Sequence, residues 1–177
     1  MTNVLLFGAS GFLGQVVMEE LIKKGYHLTA VTRSLNPSNT EKFRPDVTWV
    51  TSDVYHVEDW KNLLKENFIV INLIGMVQEN PEKGLTFEKV ITGAAKAIAS
   101  PMIDKPDYHY IYVSTDLHGT ATPDGYRKAK KAAEDYLLKQ AFKTSIVRPS
   151  MMYGHGKEGT TERAQAILAK LSPTSPT

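Results

Sequence analysis

Tyr126 and Lys130 stand four residues apart in a stretch of helical composition, so both side chains lie on one helix face. A phenol gives up its proton sluggishly near neutrality. An ammonium group beside it stabilises the phenolate and is expected to bring its pKa down toward working range. A tyrosine so activated can exchange a proton with an oxygen of a bound molecule. Upstream, a predicted strand over Tyr108 to Val113 runs into Ser114-Thr115-Asp116, and a hydroxyl from Ser114 or Thr115 could orient a substrate carbonyl. Lys128, Lys131 and Lys139 also crowd this segment, so the pair equally fits a solvated, lysine-rich face.

Such chemistry needs a scaffold that brings a reactive group to the tyrosine. The stretch Asn3 to Gly14 offers one: four apolar residues run into Gly8, and Gly11 and Gly14 follow at three-residue spacing. Leu13, Val16, Val17, Leu21 and Ile22 then recur as on a helix, predicted over Gln15 to Lys24. A strand, a glycine turn and a helix N-terminus make a phosphate site, because backbone N–H groups and the helix dipole there favour an anion. Gly8 permits the tight turn, Gly11 lets backbone approach a pyrophosphate, and Gly14 lets the helix pack closely. The spacing is one residue longer than the usual dinucleotide fingerprint.

The next predicted strand, His27 to Thr32, ends where a dinucleotide fold meets the adenosine ribose. An acid there would accept from the ribose of NAD; this chain has Thr32-Arg33-Ser34. Arg33 can pair with a 2′-phosphate, so NADP(H) is expected over NAD(H), the alternative being a solvated loop charge. Residues 36–45 read as a loop and Val47 to Thr51 as a strand. Asp53, just beyond it, either accepts from the adenine amino group or serves as a turn residue. An amphipathic helix is expected over His56 to Glu66 and a doubly buried strand over Phe68 to Ile74, where Gly75 would let a ligand approach the backbone. A small-residue helix over Leu85 to Ala99, a strand over Tyr108 to Val113, a helix over Tyr126 to Gln140 and a strand through Ser145 to Val147 follow. A last helix is expected from about Thr161 to Leu171. Strands alternating with helices predict an α/β chain with a parallel, doubly wound sheet, a single Rossmann-fold domain over 1–171 and a disordered tail over 172–177.

Composition narrows the function. Of 177 residues, 42% are hydrophobic and 23% charged, ordinary for a soluble domain. A net charge of +2 gives no electrostatic case for nucleic acid or an acidic membrane. With no cysteine, disulfides, thiolate metal sites and a cysteine nucleophile are excluded. The five histidines show no metal-ligand spacing, so no metal site is expected. His118 and His155 fall in loops near the expected site. No apolar run has membrane-span length and no export pattern opens the chain, so a cytoplasmic location is expected.

The stretches Gly8-Ala9-Ser10-Gly11-Phe12-Leu13-Gly14, Asp53-Val54, Val113-Ser114-Thr115, Tyr126 with Lys130, Arg148-Pro149 and Tyr153-Gly154 follow one another in a telling order. In these residues the chain, over nearly all of 1–156, resembles the short-chain dehydrogenase/reductase superfamily in its extended and atypical branches. It looks closest to NAD(P)-dependent epimerase/dehydratase-like proteins, including the group related to the 39-kDa accessory subunit of respiratory complex I. The resemblance implies Tyr126 as catalytic acid/base, Lys130 as its activator and ribose anchor, and Ser114 or Thr115 as the carbonyl-orienting hydroxyl. It implies cofactor contacts from Gly8, Ser10, Gly11, Phe12, Leu13, Gly14, Arg33, Asp53, Val54, Ile74, Gly75, Lys130 and Pro149. The expected substrate is a small molecule with a carbonyl/alcohol pair. The rival reading is a non-catalytic NADP(H) binder, a redox sensor or a structural subunit, and the partner is then a homodimer mate or a larger complex.

Three residue features depart from the family. Leu117 stands where the sugar dehydratases carry an acid, Val90 stands where the fourth helix commonly carries asparagine, and the loop from Thr115 to Tyr126 is short. The chain also ends soon after Tyr153-Gly154, where extended members continue into a substrate region. A reduced or truncated substrate region is therefore expected.

Overall fold

A computed structural model describes residues 2–43, 45–65, 69–118 and 122–149. Within them, β1 (Asn3–Phe7), β2 (His27–Thr32), β3 (Val47–Thr51), β4 (Ile69–Asn72), β5 (His109–Val113) and β6 (Lys143–Val147) form one six-stranded sheet. Every pairing is parallel and the order is β3-β2-β1-β4-β5-β6. This is the expected doubly wound Rossmann sheet. The chain winds outward from β1 to β3, then crosses back to place β4 on the other side of β1. The carboxyl ends of β1 and β4 therefore flank the crevice where such sheets take ligands.

Alternation along β1 makes the two core layers. Leu5 and Phe7 enter one layer, with Phe7 meeting Trp60 edge-on at a centroid distance of 4.9 Å. Val4 and Leu6 enter the other, against Met18, Leu28, Phe43 and Ile71. All four β1 residues are at most 1% exposed, and each contributes roughly 2 kcal/mol by leaving water. Helix α1 (Phe12–Lys23) covers the second layer. The first is covered by α3 (Val57–Trp60), α4 (Ala94–Ala99) and α5 (Asp124–Leu137).

Several element boundaries differ from expectation. Helix α1 starts at Phe12 rather than Gln15, because Gly11 is extended at the N-cap and its carbonyl already accepts from Gln15. The expected loop 36–45 contains a helical turn, α2 (Pro37–Thr40), and a 3-10 turn, Glu41–Phe43, that sinks Phe43 into the core. The expected helix 56–66 is α3 followed by a 3-10 segment, Lys61–Lys65. Over 85–99 the first half is a π-helix, Glu88–Gly93, before α4. A tertiary contact meets this turn: the Tyr55 hydroxyl donates to the Lys89 carbonyl and fills the space a Cβ on Gly93 would need. Helix α5 begins two residues before Tyr126 and ends at Leu137. The expected helix from Thr161, the tail 172–177, Phe68, Met151-Met152, Tyr153-Gly154 and His155 lie outside the described residues.

Candidate active site and cofactor cleft

The three glycines of the first turn meet three different constraints. Gly8 has φ +83°, and a Cβ there would stand 2.9 Å from the Leu73 carbonyl carbon, just beyond β4. A side chain would therefore force β1 and β4 apart and strain the backbone. A Cβ on Gly14 would overlap the carbonyl oxygens of Gly8 and Ala9, so this glycine lets α1 sit directly on the turn. Gly11 is exposed at the mouth, with only the Gly8 carbonyl oxygen near its Cβ position, at 3.3 Å. It caps α1 without a side-chain hydrogen bond, and the first turn of this 12-residue helix holds no acidic residue. A strained turn, a glycine open to the cleft and an uncountered helix dipole suit a dinucleotide's phosphates. Phe12 and Leu13 are half-buried in the first turn.

Beside this turn, Ser10 Oγ lies 3.2 Å from Thr32 Oγ1, and Thr32 donates to the Ser34 carbonyl at 3.0 Å. The contact ties the glycine turn to the end of β2 and sets exposed Arg33 on the same rim. Asp53 follows β3. Its Oδ1 accepts the Tyr55 N–H at 3.0 Å, which realises the turn role on that oxygen. The Val54 carbonyl accepts from Trp60 Nε1 at 3.2 Å, so this loop is anchored to the core.

Asn72, which sequence reasoning passed over, sets the end of β4. It is 1% exposed; its Oδ1 accepts the Ile74 N–H at 2.9 Å and its Nδ2 donates to Tyr110 Oη at 2.9 Å. The available signal was an amide side chain at the end of an otherwise apolar strand. Ile74 and Gly75 are thereby held at the sheet's edge, and a Cβ on Gly75 would stand 3.5 Å from Lys130 Nζ. The expected cofactor side and the expected catalytic side thus meet at this glycine.

Tyr126 and Lys130 lie on α5 with 8% and 3% exposure, not on a solvated face. Lys130 Nζ donates to the Val113 carbonyl at 2.7 Å and stands 4.8 Å from the Tyr112 ring centroid and 5.8 Å from that of Tyr126. Burial pushes this ammonium down to about 8, while the Glu134 carboxylate works in the opposite direction. Tyr126 corrects one expectation. Burial pushes its phenol up rather than down, opposed by the Thr115 hydroxyl that bonds to it. Phe87 packs edge-on against Tyr126 at 5.7 Å and helps keep water away, a contact that needed the fold to be seen.

Thr115 and Ser114 are 6% and 2% exposed at the carboxyl end of β5. The Ser114 hydroxyl is buried beside the Glu134 carboxylate, whose ionised form it favours. The Ser114 N–H reaches the Val147 carbonyl at 2.8 Å and the Asp116 N–H reaches the Pro149 carbonyl at 3.1 Å, which sets Pro149 beside the hydroxyl pair. His118 lies with Asp116, Leu117 and Arg148 along an adjoining cavity of about 460 Å³. The structure therefore gathers Ser114, Thr115, Tyr126 and Lys130 with Ile74 and Gly75 at one edge, and Gly8 to Gly14 with Arg33 and Asp53 along the same carboxyl rim. Glu134, buried on α5, and its partner Arg148, just past β6, also belong to this region; only Glu134 shares a helix stripe with Tyr126, and that spacing is the one signal the sequence carries for it.

Comparison with known proteins agrees with this geometry. The NAD(P)H-binding family matches residues 8–168. An uncharacterised chloroplastic protein of Arabidopsis thaliana is 30% identical over 162 residues, covering 88% of this chain and 52% of that protein. A mitochondrial NADH dehydrogenase [ubiquinone] 1 alpha subcomplex subunit 9 of the same plant is 29% identical, with 84% of this chain and 38% of that protein covered. This chain thus spans about half or less of the length of these relatives. The NAD complex of UDP-glucuronic acid 4-epimerase from Bacillus cereus has the same fold, with a TM-score of 0.70 and 17% identity over 86% of this chain and 58% of that one. The chain belongs to the NAD(P)H-binding family and has a Rossmann fold.

Proposed function

We propose that this chain is an NADP(H)-binding oxidoreductase of the short-chain type that acts on a carbonyl/alcohol pair of a small molecule. The observation that carries the reading is the meeting of Tyr126, Thr115 and Lys130 opposite Gly75, at the edge where the glycine turn opens. NADPH held in this cleft would supply the hydride for the carbonyl carbon. Tyr126 gives its proton to the oxygen as the carbonyl π pair moves onto it, so an alcohol and a phenolate result. Lys130 Nζ, 5.8 Å from the Tyr126 ring centroid, would stabilise that phenolate and hold ribose hydroxyls. Thr115 or Ser114 orients the carbonyl before transfer. Burial favours the protonated Tyr126 phenol, the form that donates a proton in a reduction. Arg33 on the exposed rim supplies the preference for the 2′-phosphate.

The test is Tyr126→Phe. Turnover of a reducible carbonyl should fall at least a thousandfold, while NADPH affinity in a fluorescence titration stays within about twofold. Equal loss of both would overturn the assignment.

A second reading has its own support. Tyr126 is packed under Phe87 and almost closed to solvent, and one relative is named as a subunit of NADH dehydrogenase. In this reading the chain binds NADP(H) without catalysis, as a sensor or a subunit docked in a larger complex. Cofactor would then raise the melting temperature, with no hydride passing to any carbonyl supplied.

A further inference from the structure

Glu134 is 1% exposed, yet the reaction above gives it no part. It stands one helical turn beyond Lys130 and two beyond Tyr126, so the three share one stripe of α5. Arg148, just past β6, grips it: Nε lies 2.9 Å from Oε1 and 3.2 Å from Oε2, and Nη2 also donates to Oε2. This fork leaves the carboxylate little freedom to turn. The Arg148 side chain is 48% exposed and that of Glu134 1%, so the negative charge is the buried end of the pair. Burial pushes the Glu134 carboxyl up, but Arg148, Ser114 and the charge of Lys131 outweigh it and hold the group below the usual range.

We propose that Glu134 is a positioning residue of the Tyr126–Lys130 site: Arg148 fixes its carboxylate one turn from Lys130, where it keeps the buried amine charged. The groups facing Lys130 support this. From β5 come the Val113 carbonyl and the Tyr112 ring, from α5 the Tyr126 ring and Glu134, and from the end of β4 the uncharged Gly75. Burial pushes both phenols up, so they stay neutral, and Glu134 is the anion of the set. A neutral lysine would neither stabilise a phenolate nor donate three hydrogen bonds to ribose and backbone. The buried Ser114 hydroxyl also favours the ionised form of Glu134, so the same carboxylate bears on the carbonyl-orienting serine.

The inference rests on reading Lys130 as part of the site, but its test needs neither cofactor nor turnover. The Cε resonance of Lys130 would be followed by NMR in ¹³C-lysine-labelled full-length protein as pH rises, and assigned by its absence in Lys130→Met. In Glu134→Gln the titration midpoint should fall by about one unit or more, as expected when an opposite charge is removed at close range. An unchanged midpoint in the folded variant would overturn the proposal. Glu134→Gln combined with Arg148→Met removes the orphaned guanidinium and carries the test should the single variant fail to fold. A midpoint that stays low supports action of Glu134 on Lys130. A return to the wild-type midpoint would mean that Glu134 serves only to neutralise Arg148. Loss of the oxidoreductase reading in the Tyr126→Phe assay would leave this titration unaffected, so the two failures are distinguishable.

Discussion

Lys130 reaches 2.7 Å from the Val113 carbonyl, so the buried amine of α5 is tied to the last residue of β5. The tie places a charge where burial disfavours it. In the folded chain the amine is held at about 8 against a usual 10.5. The unfolded chain therefore binds more protons between these values, and stability rises as pH increases from about 8 to about 10.5. Below 8 the full penalty applies, up to about 3 kcal/mol. Lys130→Met should lack this rise and be more stable than wild type at pH 7 by about 1–3 kcal/mol, while losing cofactor affinity. Paired urea titrations at pH 7 and pH 9.5 check it; an equal pH response in both proteins would refute the assignment.

The glycine turn gives a contrast between neighbouring positions. Gly14→Ala places a methyl into the carbonyls of Gly8 and Ala9 and should cost about 3 kcal/mol or prevent folding. Gly11→Ala meets only the Gly8 oxygen at 3.3 Å and has ordinary φ, so stability should change by about 1 kcal/mol or less. Its cofactor affinity should nonetheless drop at least tenfold, because the methyl points into the mouth. Denaturation curves and NADPH titrations on both variants would separate a structural glycine from a binding one.

Arg33→Ala probes the cofactor preference. The expected result is NADPH affinity falling toward that for NADH, a loss of about 1.5–3 kcal/mol for one charge-assisted contact, with NADH unaffected. Equal affinities of wild type for the two cofactors would remove Arg33 from the site and leave the fold unchanged.

Asn72→Ala should act on both stability and binding. It leaves the Ile74 N–H without its acceptor and takes one donor from the Tyr110 hydroxyl, which keeps the Ala95 carbonyl, at a cost of about 1–3 kcal/mol. Because Ile74 and Gly75 then lose their register at the sheet edge, cofactor affinity should fall as well. A destabilised variant with wild-type affinity in excess cofactor would show that Asn72 serves the fold alone.

Much of this was legible before any coordinates. Strands leave a trace in composition, and the Val- and Thr-rich stretches 27–32 and 47–51 match β2 and β3 residue for residue. The glycine turn was legible for a similar reason, since tight backbone turns leave a chemical trace in residue type. The spacing of Tyr126 and Lys130 put them on one face because a helix repeats every few residues.

The tertiary structure decided what depends on residues far apart in the chain. Asn72 meets Tyr110 across 38 positions and Arg148 meets Glu134 across 14, distances at which no periodicity operates. The π-turn at Glu88–Gly93 meets the Tyr55 hydroxyl from another loop, a contact across 34 positions. The shift of the Tyr126 phenol went against expectation because burial under Phe87 and the sheet, not the nearby amine, dominates its environment. Residue type and spacing determined which groups this protein carries and on which elements. Packing decided which of them lie buried, and burial sets the charge each one holds.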